Sequence, residues 1–267
     1  MIYTTTDLNG QWPEDQTLLI GVGMTSNKLA VVDTARRLRF AASYDPARPA
    51  PEVTAVLDRP YAAVKLAVAD CRYMLIPADV YDERQHDVYL RYLPFDGVGT
   101  MQVAPVAALG VKLLYQANHV GTETLAARFP DAEHYPQVQS LLSAITAEKP
   151  SNDDLLVAVE RHGTWMTVVV FDRRKLLYCH DFECTTEDDF TYHLITVLRQ
   201  FGLADRQPAI VLAGDLDQGD AYHGRAAAYG GKVLSADSRW AGIEVPDDVV
   251  PHAHRFLSLF GLYQCES

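Results

Sequence analysis

Apolar residues in the first part of the chain come in short β-rich runs parted by polar turns. TLLIGV, KLAVVD and LRFAASY, between Thr17 and Tyr44, predict three strands with MTSN and TARR as turns. The segment DPARPAPE carries Pro46, Pro49 and Pro51, which excludes a central strand and leads into a short helix over EVTAVL. YAAVKLAVAD and RYMLIPADVY predict two more strands. Pro77 should end the second, because proline cannot donate to a ladder. A short helix over DERQHDVYLRYL is followed by two strands within GTMQVAPVAALGVKLLYQAN. HVGTETLAARF and YPQVQSLLSAITAEK repeat apolar residues at helical spacing and predict helices.

The polar, proline-containing stretch EKPSNDD (148–154) is the candidate boundary, and beyond it the pattern restarts. DLLVAVE, WMTVVVFD and KLLYCHDFE predict three strands with turns at RHGT and RR. TTEDDFTYHLITVLRQFGL predicts a long helix, capped by Thr186 and closed by Gly202 at the C′ position. PAIVLAGD reads as a buried strand, AYHGRAAAYGG as a helix, KVLSA as a strand and PHAHRFLSLFGLYQC as a last amphipathic helix or helix-turn. Laid side by side, Leu18, Leu19, Val22, Val31 and Val32 meet Leu155, Leu156, Val159, Val168 and Val169. A further shift then brings Asp33, Leu38 and Phe40 onto Asp172, Leu176 and Tyr178. The expectation is an internal duplication with halves 1–150 and 151–267. Within the second hairpin, Val157, Val159, Val168 and Val170 should be buried, and Glu160, Arg161 and His162 should form a solvated tip.

The order strand-strand-strand-helix-strand-helix, reached twice, resembles the actin-like superfamily of sugar kinases, heat-shock chaperones and actins. LIPADVYDERQHDVYLRYLPF, ARFPDAEHYPQVQSLL, EDDFTYHLITVLRQFGL and RFLSLFGLYQC further resemble an uncharacterised bacterial domain-of-unknown-function family assigned to that fold. The actin-like assembly proteins of type IV pili are a more distant likeness. The resemblance implies an α/β chain of two ribonuclease-H-like subdomains with mixed sheets, facing each other across a nucleotide cleft. It also implies what to look for in each hairpin: an acid-x-Gly turn, then a hydroxyl residue and often a lysine. Backbone N–H groups at such a turn hold phosphate oxygens, and the acid orients Mg²⁺ or activates water.

Against that pattern the loops are degenerate. In the first hairpin Gly23 matches the glycine, Thr25 or Ser26 the hydroxyl and Lys28 the phosphate lysine, but Gly21 stands in place of the acid. In the second, Ala158 replaces the acid and Glu160 the glycine, putting a repulsive side chain and a Cβ where phosphate should approach. Gly214, in Ala213-Gly214, partly matches the paired glycines that approach a nucleoside, although Asp215 beside it is atypical. Loss of both metal-orienting acids should cost orders of magnitude in phosphoryl transfer.

Other motifs carry less. GVGMTS leads into a strand and is no dinucleotide fingerprint. CHDFEC turns Cys179 and His180 to opposite strand faces, so a core Cys beside a surface His reads better than zinc. DLDQGD lacks the later ligands of a calcium loop and reads as a solvated acidic turn, while His252 and His254 in PHAHRF mark a helix entry. A nuclease would need clustered carboxylates, and LLIGVGM and LLVAVE supply only Glu160.

Composition narrows the function classes. A chain of 267 residues with 48% hydrophobic and 22% charged positions builds real cores rather than a disordered tail. Its 35 acids against 23 Lys and Arg give a net charge of −12, which disfavours nucleic acid and anionic membranes as partners. MIYTTTDLNGQWPEDQ has no basic-then-apolar signal pattern, and no stretch approaches the ~20 apolar residues of a membrane span. Cys71, Cys179, Cys184 and Cys265 are scattered, as expected of reduced thiols in a cytoplasm. The reading is a catalytically silent actin-like module, a pseudo-ATPase with an unidentified protein partner. The alternative is an ATP-binding protein or ATP-dependent phosphotransferase using Gly23, Thr25, Lys28 and Gly214. No metal site is expected, and oligomeric state is open.

Overall fold

A computed structural model describes residues 2–4, 14–23, 25–69, 72–93, 100–117, 122–147, 155–173 and 175–265. They fall into two compact units, residues 1–144 with 258–267 and residues 145–257. The expected division left 258–267 with the second half, whereas these residues pack with the first unit. The candidate boundary 148–154 and Cys71 lie outside the described residues.

In the first unit, β1 (Ile2–Thr4), β2 (Thr17–Val22), β3 (Asn27–Val32) and β4 (Leu38–Tyr44) precede α1 (Pro51–Leu57) and β5 (Ala63–Val68). Pro51 opens α1, where its fixed φ suits the first turn and its missing N–H is not needed. An inserted module follows: β6 (Tyr73–Pro77), a 3-10 turn at Glu83–Gln85, α2 (His86–Leu90), β7 (Thr100–Val106) and β8 (Val111–Ala117). Then come α3 (Glu123–Arg128), β9 (Glu133–Pro136) and α4 (Gln137–Ala147). The main sheet runs β1-β4-β3-β2-β5-β9, and β6-β8-β7 form a separate antiparallel sheet. Hairpins make β2, β3 and β4 antiparallel, and helical crossovers return β5 and β9 parallel to β2 and β5. Every residue of β3 is buried, the apolar run Leu29–Val32 together with Asn27 and Lys28. Leu18, Ile20, Leu29, Val31, Phe40 and Leu66 share one core with Val53, Val56 and Leu57 of α1.

The second unit repeats the plan: β10 (Leu155–His162), β11 (Trp165–Asp172), β12 (Lys175–Glu183), α5 (Glu187–Gln200), β13 (Ala209–Gly214), α6 (Ala221–Ala227) and β14 (Lys232–Ser235). Its order, β12-β11-β10-β13-β14, matches β4-β3-β2-β5-β9 in sequence of pairing and direction. Val157, Val159, Val168 and Val170 are all fully buried against Phe190, Leu194, Val197 and Leu198 of α5, as expected. A 3-10 turn over Val250–Phe256 leads into α7 (Leu257–Leu262), the helix entry read from PHAHRF.

Thr186 starts α5 with a full capping box: its side chain accepts from Asp189 N at 3.1 Å, and Asp189 Oδ2 accepts from Thr186 N at 2.8 Å. Gly202 closes the helix at φ +63, donating to Arg199 O. Thr186→Ala is expected to lower stability by about 1 kcal/mol in urea denaturation, since it orphans a first-turn N–H. A change within experimental error would remove the cap from the account.

Two expectations change. The strands β1 and β9 were not anticipated, and β9 is paired through all four of its residues to β5. The one-for-one alignment of the hairpins also fails at their turns. β2 and β3 are joined by a loop over residues 23–26, β10 and β11 by residues 163–164 alone. Leu18 therefore faces Val31, while Leu155 faces Asp172.

Candidate functional site

The first hairpin holds three of the residues singled out for phosphate. Gly23 sits where a Cβ would lie 2.5 Å from Ser26 O, so the turn itself demands glycine. Its N–H is already donated to Asn27 Oδ1 at 3.2 Å. Thr25 is exposed at the tip, and Lys28 is buried within β3 opposite Gly21. At Gly21 a Cβ would meet Leu259 Cδ1 at 3.7 Å and Lys28 Cβ at 3.9 Å, ordinary contacts. Space for a side chain is thus not what excludes an acid there. Asp33, further along, anchors the next turn. It accepts from Ala35 N, Arg37 N, Arg37 Nε and Arg39 Nε at 2.9–3.1 Å. Burial pushes its carboxyl up, but the bonds from Arg37 and Arg39 outweigh this and hold it below the usual range.

The second hairpin corrects the sequence reading. Glu160 is no solvated tip: it lies inside β10, 1% exposed, between Thr167 of β11 and Ala213 of β13. Its Oε2 is 3.1 Å from His162 Nε2, two positions along the same strand face. The turn is Gly163-Thr164, and Gly163 takes φ +56. Gly163 N–H is donated to Asp215 Oδ2 at 3.0 Å, and Asp215 N–H to Arg161 O at 2.7 Å. Gly214, at φ +74, lies where a Cβ would stand 2.1 Å from Arg161 O. Its glycine is explained by this approach of β13 to β10. The Arg161 guanidinium lies 4.8 Å from the centre of the Tyr222 ring. Gly23, Thr25 and Lys28 thus share one hairpin of the first unit, and Gly214 belongs to the second.

The acids of DLDQGD have structural tasks. Asp215 serves Gly163; Asp217 accepts from Arg255 Nε at 3.1 Å and lies 3.2 Å from His254 Nε2. Asp220 caps α6 by accepting from His223 N at 2.7 Å. Among the described residues no three His, Cys, Asp or Glu stand together as a metal set. Cys179, Cys184 and Cys265 are not in disulfides.

His254 gives a pH signature. Burial holds its imidazole below the ordinary value against the pull of Asp217, with Arg255 and His252 reinforcing burial. The unfolded chain therefore takes up this proton first as pH falls below about 6.5. Its contribution is fully present above that pH and is lost as pH falls toward the depressed native value. Urea midpoints should fall between pH 7.5 and 5.5, less steeply in His254→Asn; equal slopes would contradict this assignment.

Residues 7–233 match the family described as "Protein of unknown function (DUF3822)". The chain belongs to this family. A search of curated proteins found no match. Among solved structures, the chain is similar to a Bacteroides thetaiotaomicron protein of unknown function with an actin-like ATPase fold. The two share 16% identity at TM-score 0.72, covering 95% of this chain and 97% of that one. It is also similar to the PilM–PilN type IV pilus biogenesis complex, at 12% identity and TM-score 0.63, covering 94% and 98%. The cytoplasmic domain of EpsL, an inner-membrane component of the Vibrio cholerae type II secretion system, follows at 10% identity and TM-score 0.51, covering 95% and 96%. This DUF3822 chain therefore has the actin-like ATPase fold, with the mixed sheets expected of it. No helix among its described residues is long and apolar enough to cross a membrane.

Sequence reasoning missed Asn27 and Asp215 as the groups that occupy the turns. Asn27 had a local signal, an amide side chain four residues after Gly23. Asp215 was marked only as an atypical neighbour of Gly214.

Proposed function

We propose that this chain is a catalytically silent actin-like protein, working in the cytoplasm as an interaction or scaffolding module. One observation carries the reading: a turn N–H that a phosphate would use is already donated within each unit, Gly23 N–H to Asn27 and Gly163 N–H to Asp215. Asn27 is a neutral competitor. Asp215 is a carboxylate, and placing a phosphate beside it adds repulsion to the cost of breaking its bond. Gly21 supplies no acid for Mg²⁺ in the first hairpin, and in the second the Glu160 carboxylate is buried beside His162. The likeness to a protein found in the PilM–PilN complex supports an actin-like fold used for assembly with a protein partner.

Purified protein is expected to show no thermal shift with millimolar Mg-ATP, because a ligand stabilises only what it binds in the folded state. It is also expected to release phosphate no faster than buffer. A shift of several degrees, removed by Lys28→Ala, would instead assign Gly23, Thr25 and Lys28 to phosphate and favour the ATP-binding reading.

A further inference from the structure

The closing segment of the first unit is seated by polar groups. Leu18, Ile20 and Val22 of β2 face α1, so Gly21 lies on the other face of the sheet. α7 covers that second face: a Cβ at Gly21 would meet Leu259 Cδ1 at 3.7 Å, and Gly261 crosses α4 at Ser140 and Ala144. Just beyond α7, three side chains converge on Cys265, which is 3% exposed. Lys65 Nζ of β5 donates to its carbonyl oxygen, and Tyr135 Oη of β9 lies 3.5 Å from the same oxygen. Ser143 Oγ of α4 lies 3.6 Å from its Sγ. A lysine bonded to the last carbonyls of a helix is a common way to end one.

The place of Lys65 in the sheet makes it more than a cap. Lys65 and Glu133 are register partners on the neighbouring parallel strands β5 and β9, so their side chains share one face. Their backbones are about 5 Å apart, the ordinary spacing of adjacent strands. Opposite charges so placed ordinarily pair, yet here each is turned to another partner. Lys65 reaches the Cys265 carbonyl, with its Nζ 5.7 Å from the centre of the Tyr135 ring, and Glu133 Oε2 accepts from Tyr135 Oη. The seated segment therefore draws a cation away from the anion that faces it. When the segment leaves, Lys65 loses its acceptor, and Glu133 is the carboxylate beside it.

We infer that Lys65 is the toggle of a C-terminal strap. Closed, it bonds the Cys265 carbonyl and keeps α7 seated. Open, it pairs with Glu133, and α7 with the residues after it lifts from Gly21, Ser140 and Ala144. The element is two-state because Lys65 serves one acceptor at a time.

Iodoacetamide labelling of the full chain tests this, read by mass spectrometry on the peptide that carries Cys265. The buried thiol labels only from the open form. Its rate is expected to change little across low urea concentrations that leave the chain folded, the mark of a local opening. Lys65→Met removes the closed-state bond, the stronger of the two, and is expected to speed labelling about fivefold or more. Glu133→Gln keeps an acceptor for Tyr135 and removes only the open-state ion pair, so it is expected to slow labelling about threefold. Simple loosening of the fold would speed it in both variants. In the Lys65→Met background, Glu133→Gln should have no further effect, because the two act through one pair. Labelling that rises with urea as steeply as global unfolding overturns the inference. So does a rate unchanged in Lys65→Met, a rate unchanged or faster in Glu133→Gln, or a Glu133→Gln effect that survives without Lys65.

Discussion

Gly214→Ala is expected to destabilise the second unit by about 3 kcal/mol or more. Two effects add. An alanine dislikes φ +74, and its Cβ would stand 2.1 Å from the Arg161 carbonyl oxygen, a backbone atom with no rotamer to escape into. Relief requires the end of β13 to move away from β10. That breaks the Arg161–Gly214 register and the bond from Asp215 N to Arg161 O. Hydrogen exchange should therefore show early opening at the end of β13 and at the Gly163 turn, where Asp215 is the acceptor. Protection unchanged at both places would mean that the approach of the two strands is looser than described. The same variant bears on function, since a glycine retained for nucleoside binding alone would be replaceable without loss of stability.

Gly261→Val is expected to act on the other unit, and by a similar mechanism. A Cβ at Gly261 would lie 2.0 Å from Ser140 O and 2.8 Å from Ala144 Cβ, so α7 crosses α4 at a distance only glycine allows. Added methyl groups must push the helices apart, at a cost of about 2–3 kcal/mol or more. The loss would spread along the returning segment, where Lys65 Nζ bonds Cys265 O and Cys265 Sγ lies 3.6 Å from Ser143 Oγ. Burial pushes the Cys265 thiol up to about 11, so it stays protonated and unreactive while the segment is seated. Thiol labelling of Cys265 should accelerate in Gly261→Val. Labelling as slow as in the parent chain would show that α7 stays docked.

The strands and helices that form the two cores were legible because their apolar spacing is a local property. The capping of α5 was legible too: Thr186, Asp189 and Gly202 lie within or beside the helix they bound. β1 and β9 were not. Neither is long or apolar enough to declare itself, and each exists by pairing with a strand distant in sequence, β4 and β5. Glu160 was misplaced for a different reason. Aligning the two hairpins residue by residue assumed equal turns, and the tighter Gly163-Thr164 turn extends β10 far enough to draw Glu160 into the sheet. The glycines at 23 and 214 were noticed, but their reasons differ in reach. Gly23 answers to Ser26, three residues on, whereas Gly214 answers to Arg161 on another strand.

The return of residues 258–267 to the first unit has a consequence for how the chain is made. Most of the first unit leaves the ribosome before the second, yet one of its packing helices, α7, follows the second unit in sequence. Until α7 arrives, the face of α4 around Ser140 and Ala144 lacks its cover, and Lys65 lacks the carbonyl of Cys265. The second unit, continuous in sequence, has all its own strands before that moment. Folding unit by unit from the N-terminus is the general habit of multidomain chains. Here the first of the two units to emerge would be the last to finish, and a chain stalled or clipped before α7 would expose the first unit, not the second.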